Sequence, residues 1–323
     1  ILAANSWMQT PVGYKMVDGR FVPADWTAIV FNPSFPYRFA HNVTAFYITT
    51  GFVVLGVAAW LLRRGRAVEE SRLMIRMALD LLIVLVPLQI FLGDLHGLNT
   101  LEYQPAKIAA IEGRYDTVKP TPLTIFGIPD DKNAVMRDAI EIPRLGSIIL
   151  THTWDGAIKG LKEWPVQDRP PVALPFFAFR LMVGIGLLML LVAVVGQVLM
   201  RWNGRLWRSD GFLRLCQWTA PLGFIAVIAG WVVTEVGRQP WTVYGLMRTA
   251  DSVSPSLTGS DVAISLTLYV IVYLVMYPTG IAFMAGLVRR GPQQAEEPLF
   301  VESGRPGNPF KQASVQGRDQ GSG

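Results

Sequence analysis

The chain has 323 residues, 51% of them hydrophobic and 16% charged, with a net charge of +5 and a mean hydropathy of +0.34. Soluble domains of this size carry about 25% charged residues, so the composition speaks against a soluble, disordered or disulfide-built protein. A single cysteine, Cys216, supports neither a disulfide framework nor a paired-cysteine metal site, and the surplus arginines flank long apolar runs, which points to a bilayer and away from nucleic acid.

In chain order, residues 1–7 read as the end of a helix. With no initiator Met and no signal peptide, the chain is expected to be the C-terminal part of a longer protein whose first helices lie upstream. Thr10–Pro36 follows as a loop, so the first segment is 1–36. Val43–Leu62 is charge-free and meets the roughly 20 apolar residues that a bilayer span needs. Met77–Gly93 is apolar apart from Asp80 and Pro87, and the two make a 37–97 pair of transmembrane helices. The segment 98–174 is too long for a plain connector. Within it Gln104–Glu112 reads as a short amphipathic helix, and Pro120, Pro122, Pro129, Pro143, Pro165, Pro170 and Pro171 break the rest into turns and short pieces. Leu181–Met200, Leu215–Thr234 and Val262–Val288 are three further charge-free spans within 175–290. Residues 291–323, rich in Gly, Ser and Gln, read as a disordered tail.

The connection between spans one and two holds Arg63, Arg64, Arg66, Arg72 and Arg76, and that between three and four holds Arg201, Arg205, Arg208 and Arg214. The fifth span stops at Arg289 and Arg290. Alternating spans put all three on one side, which the positive-inside rule makes cytoplasmic. The expectation is an all-α polytopic membrane protein: a bundle of five complete transmembrane helices with a long extracytoplasmic loop and a cytoplasmic C-terminus.

Ionisable and metal-binding groups inside a membrane are costly and therefore informative. His41 and Met182 lie at similar depth near the outer ends of the first and third spans, which run in the same direction. A His facing a Met across a bundle can hold a haem iron with both axial positions filled. Arg180, two residues before Met182, could pair with a haem propionate. Simple packing of a methionine and an interfacial histidine explain the same residues. In GWVVTEVGRQPW, Glu235 sits at the apolar edge with Arg238 three residues on and Trp231 one turn before, where the indole could stack on a flat cofactor. An interfacial ion pair in the aromatic belt is the alternative. Lys107 and Glu112, five apart in the outer loop, make a poor helix ion pair. An acid and a base beside the membrane could receive the hydroxyl protons of a quinol, or could simply belong to a solvated helix. Asp80 can meet Arg76 at i,i+4; Asp94 and His96 close the second span; His152 and Cys216 carry no clear chemistry.

These motifs together resemble subunit I of the cytochrome bd-type quinol oxidases. The matching runs are ANSWMQTPVGY, FAHNVTAFYITTG, GDLHG, QPAKIAAIEG with TIFGIPD, GLKEW, FFAFRLM and GWVVTEVGRQPW, spread in order over about residues 1–288. The resemblance implies an enzyme of the bacterial cytoplasmic (inner) membrane that oxidises quinol, reduces dioxygen to water and generates proton motive force without pumping. It implies a low-spin haem b, a high-spin haem b and haem d, a subunit II and a small accessory subunit as partners, the lipid bilayer, and no nucleic acid. It implies that His41 and Met182 hold the low-spin haem with Arg180 beside it, and that Glu235 is the axial ligand of the high-spin haem flanked by Trp231 and Arg238. Lys107 and Glu112 match the pair tied to quinol oxidation in the outer Q-loop. Two departures stand out. Only the last five of about nine family spans are here, without the other di-haem histidine. About a dozen residues separate GLKEW from FFAFR, so the Q-loop is the short type, similar to the cyanide-insensitive branch. A haem b carrier handling quinol without oxygen chemistry, or a multi-span transporter, is the competing class.

Overall fold

The computed structural model describes residues 1–202, 204–254 and 256–291, so all but the first residue of the expected tail lies outside the described residues. The chain divides into two compact units, Ile1–Ile271 and Val272–Gly323. The first unit begins with α1 (Leu2–Gln9), a hairpin of β1 (Tyr14–Val17) and β2 (Arg20–Pro23), and α2 (Trp26–Val30). Asp25 caps α2 by accepting from the amides of Thr27 and Ala28.

Two long helices follow, α3 (Phe35–Arg63) and α4 (Val68–Tyr103), joined by so short a turn that they pack side by side. Then come α5 (Pro105–Glu112), a hairpin of β3 (Leu123–Asp130) and β4 (Val135–Ile142), and α6 (Leu145–Thr151). The remainder is α7 (Ala173–Arg201), α8 (Asp210–Thr219), α9 (Leu222–Val236), a small hairpin of β5 (Trp241–Val243) and β6 (Met247–Arg248), and α10 (Gly259–Arg290), within which the second unit begins.

Five stretches are long and apolar enough to cross a membrane: Phe35–Arg63, Val68–Tyr103, Val166–Arg201, Asp210–Val236 and Gly259–Arg290. Each contains one expected span and extends beyond it. The fourth differs from expectation in being two helices, because Pro221 lacks the N–H that would continue α8 and its ring crowds the preceding turn. The segment 98–174 also differs. Instead of turns alone it forms the β3–β4 hairpin, paired from Leu123↔Ile142 to Asp130↔Val135 with irregularities on either side of Phe126.

Within the first unit, α3 packs on α4, α8 and α9, and α7 packs on α9 and α4. The core between them is apolar: Phe52, Leu55, Ile75, Leu79, Leu82 and Val192 are buried. Small residues let the backbones approach. A Cβ on Gly223 would stand 2.6 Å from Thr49 Oγ1, and one on Gly196 would stand 2.6 Å from Leu79 Cδ2. Polar contacts gather at the arginine-rich end, the Arg76–Asp80 pair among them as expected. Arg76 reaches Asp80 at 3.9 Å, and Arg63 and Arg214 share Asp210. The guanidiniums of Arg64 and Arg205 lie 4.2 and 4.1 Å from the ring centroids of Trp60 and Trp202.

Candidate functional site

His41, Met182 and Glu235 lie near the same end of the bundle. His41 and Met182 are about one and a half and two and a half turns from the N-terminal ends of α3 and α7, and Glu235 is at the C-terminal end of α9. The opposite end of α3, at Arg63, is about 33 Å away at 1.5 Å per residue. Three subsites can be built at this level.

The first centres on His41. Its Nε2 lies 3.1 Å from Gln89 Nε2 of α4, while its Nδ1 is buried without a partner, as is Gln89 Oε1. One turn beyond Gln89, a Cβ on Gly93 would stand 3.3 Å from His41 Cε1. The ring of His96 lies edge-on at 5.6 Å between centroids. On the α7 side, the Met182 sulfur faces Gly230 of α9, where a Cβ would stand 3.1 Å away. Helices α3 and α7 make their main contacts through α4 and α9 and not with each other. An imidazole with an orphaned buried nitrogen, a thioether, and a glycine beside each make a donor set that fits a haem iron.

The second subsite is a polar chain around Glu235. One carboxylate oxygen accepts from Asn5 and the other from Arg238 Nη2 at 2.6 Å. Asn5 in turn accepts from Arg38 Nη1 at 2.7 Å, and Arg238 also donates to the Thr242 carbonyl at 3.0 Å. Two guanidiniums and one carboxylate are thus joined through an asparagine, and lone pairs remain on the carboxylate for a further partner. Trp231 is half-buried one turn before Glu235.

The third subsite is α5, and here the structure corrects the amphipathic expectation: every residue of the helix after Pro105 is buried. Pro105 starts the helix at a position where no N–H is needed. Gly113 ends it at φ +67°, where a Cβ would stand 2.1 Å from Met136 Cε and 2.9 Å from the Phe176 ring, so glycine is required on both counts. The Lys107 ammonium donates to Gln9 Oε1 at 3.1 Å, Gln104 Oε1 at 3.3 Å and the Thr234 carbonyl at 3.1 Å. It therefore ties α1, α5 and the end of α9 together, and the reading of a solvated helix fails.

Glu112 faces elsewhere. One of its oxygens lies 3.7 Å from Arg180 Nη2 and lacks a hydrogen-bond partner. Lys107 and Glu112, expected as a working pair, thus sit on separate partners within one buried helix. Burial pushes the Glu112 carboxyl above the ordinary carboxylate range, and nearby Arg180 and Arg114 offset this only in part. Burial pushes the Lys107 ammonium well below its ordinary value; Arg38 and Arg238 add to the effect and Glu235 opposes it. The linkage has opposite signs. Glu112 stabilises the fold at low pH and ceases to do so as pH rises through its raised pKa. Lys107 makes stability rise with pH between its lowered pKa and the ordinary ammonium value.

Arg180 does not point along the Met182 direction, because two residues on a helix turn by about 200°. Its fork donates to the carbonyls of Ile111 (2.8 Å), Phe176 (3.0 Å), Ile125 (3.0 Å) and Thr124, and lies 3.4 Å from the Phe176 ring centroid. Its closest anionic neighbour is Glu112.

Sequence reasoning passed over Asn5, Gln9, Arg38, Gln89 and Gln104. Gln89 carried a usable signal, being a polar amide inside an otherwise apolar span, and so did Arg38 in the first turn of another. His152 approaches Asp94 at 3.5 Å in the C-terminal part of α4.

A family model described as cytochrome bd terminal oxidase subunit I matches residues 1–292. The chain is 34% identical over 287 residues to the cytochrome bd ubiquinol oxidase subunit 1 of Bacillus subtilis (strain 168), covering 85% of this chain and 61% of that one. It is 28% identical to the cytochrome bd-II ubiquinol oxidase subunit 1 of Escherichia coli (strain K12), covering 92% and 71%. Among solved structures, the bd oxidase from Geobacillus thermodenitrificans superposes with a TM-score of 0.81 at 31% identity, over 90% of this chain and 66% of that one. The chain therefore spans about three fifths of the length of the Bacillus relative.

Proposed function

The chain belongs to the cytochrome bd terminal oxidase subunit I family, and from that premise we propose that it is the quinol-oxidising, haem-carrying subunit of a membrane quinol:oxygen oxidoreductase. The groups proposed are a low-spin haem b, a high-spin haem b and haem d, which supply electron relay and oxygen chemistry when bound. The single observation that carries the reading is the buried His41 Nδ1 without a hydrogen-bond partner inside a membrane bundle; Met182, whose sulfur faces Gly230, is proposed as its counterpart.

His41 and Met182 would hold the low-spin haem through nitrogen and sulfur. Glu235 would hold the high-spin haem, with its charge steadied by Arg238 and, through Asn5, by Arg38. Trp231, half-buried one turn before Glu235, would help to line the pocket for that group. Gln9 and Gln104 fix the position of the Lys107 ammonium.

Quinol would dock over α5. A carboxyl raised by burial is a proton acceptor whose affinity suits a weakly acidic hydroxyl better than an ordinary carboxylate does. Glu112, held by Arg180, would take up one proton, and Lys107 would steady the developing negative charge on the quinol oxygen. Protons would leave on the side of the β3–β4 hairpin, and the arginine-rich end would face the cytoplasm together with the C-terminus. The partners proposed are subunit II and a small accessory subunit; the short Q-loop suggests a cyanide-insensitive enzyme.

The experiment is an absorbance spectrum of purified membranes together with quinol-driven oxygen uptake. A haem d band in the red with quinol-dependent uptake is the expected result. Haem b alone without uptake would indicate a carrier, and no haem at all would indicate a transporter.

A further inference from the structure

The β3–β4 hairpin has one engaged face and one bare apolar face. On the engaged side, Thr124 and Glu141 take the Arg114 guanidinium, and Met136 lies against Gly113 and Phe176. The bare side carries Phe126 and Ile140, directly paired across the strands, together with Ile128 and Ile142. They are 48, 60, 51 and 40% exposed respectively. Asp130 to Asn133 lie at the tip, and the exposed Arg137, which pairs across from Ile128, turns to Asp130 at the same end, so the stretch from Phe126 and Ile140 to Ile142 is the uncharged part of this face.

What lies beside this face is α7. That helix exposes Leu174, Phe177 and Leu181, whose spacing of three and four places them along one stripe, and Leu187 and Leu191 further along. The Phe126 ring is 6.1 Å from that of Phe177. One turn further on, Arg180 donates to the carbonyls of Thr124 and Ile125 and so ties β3 to the first turns of the helix. The apolar face of the hairpin thus continues the exposed stripe of a membrane-spanning helix past its end. Apolar patches of this kind on a protein surface mark a contact with lipid or with another protein.

We propose that this face of the β3–β4 hairpin beds among the acyl chains of the membrane leaflet at the N-terminal end of α7, with its polar tip in the headgroup and water region. The hairpin is then a membrane-held strap over Glu112, which Arg180 connects to the same strand. The inference rests on the apolar continuity and not on the quinol reading. If that reading holds, the strap sets Glu112 beside the hydrocarbon in which a lipid-soluble reductant travels.

The test uses the full protein, purified with its natural partners and reconstituted in vesicles of phosphatidylethanolamine and phosphatidylglycerol. Ile140→Cys and Ile142→Cys carry a nitroxide label on the bare face, and Lys132→Cys carries one at the tip; native Cys216 is fully buried. Electron spin relaxation is measured with oxygen, which concentrates in hydrocarbon, and with a water-soluble nickel chelate. Labels at 140 and 142 are expected to respond to oxygen and be shielded from nickel, with the reverse at 132. Equal nickel access at 140 and 132 would overturn the proposal in favour of a face in water. Shielding from both reagents at 140 and 142 would overturn it in favour of a protein partner. Because the readout is immersion and not turnover, its failure is distinguishable from failure of the quinol reading.

Discussion

Replacing Arg180 with Gln tests the electrostatics of the Glu112 subsite. The guanidinium nitrogen stands 3.7 Å from the carboxylate oxygen. At that separation two unit charges attract by about 1 kcal/mol in water and about 4 kcal/mol at an effective dielectric constant of 20. Glu112 is only 4% exposed, so the larger figure is nearer. At 1.4 kcal/mol per factor of ten, losing the attraction favours the protonated carboxyl by between about fivefold and about a thousandfold. Arg180→Lys keeps the charge and loses only the fork. The assay is infrared titration of the Glu112 carboxyl band, identified by its disappearance in Glu112→Gln. The band should persist to higher pH in Arg180→Gln than in the parent and stay near the parent in Arg180→Lys. The rise of kcat/KM with pH should move upward in step if Glu112 must be ionised to accept a proton. A band that titrates at the parent pH or below it in Arg180→Gln would refute the reasoning, provided the haem spectrum shows the fold intact.

Glu235→Gln keeps the shape of the side chain but removes the charge that Arg238 and Asn5 engage; it should lose the high-spin haem and keep the His41 signal, and equal loss of both spectra would contradict the assignment. Lys107→Met leaves three oxygens without a donor, each costing about 1–3 kcal/mol, while relieving a buried charge. It should fold with its haem content unchanged and show at least about a tenfold loss in kcat/KM for quinol, a little over 1 kcal/mol of transition-state stabilisation; unaltered quinol kinetics would exclude Lys107 from the site. Gly230→Ala puts a methyl 3.1 Å from the Met182 sulfur, which must shift by a few tenths of an ångström. A partial loss of the low-spin signal is expected in its spectrum, and an unchanged signal would place Met182 outside the haem site.

The five spans were legible because each contains a predominantly apolar run close to membrane length, and arginines mark their ends. Their limits were not legible in the same way. The helix α4 runs from Val68 to Tyr103, whereas the apolar run covers only Met77–Gly93, because a helix continues through charged residues once it reaches water. The break at Pro221 was readable from the proline and was hidden by the strength of the surrounding hydropathy. Helix α5 was found, but its environment was not. Lys and Glu are almost never fully buried, so two charged residues argued for solvent until α1, α4, α7 and α9 were seen around them. The β3–β4 hairpin was obscured by irregularities on both sides of Phe126, which break the alternation that marks a strand. The network around Glu235 could not be read at all from spacing, since Asn5 lies 230 residues away in the chain.

The central proposal, that His41 and Met182 would together hold one haem, is tested most directly by the reduced-minus-oxidised spectrum of the Met182→Leu protein. Leucine keeps the bulk of the side chain and removes the sulfur, so the low-spin signal should give way to a high-spin one at unchanged haem content. A spectrum identical to that of the parent would contradict the account.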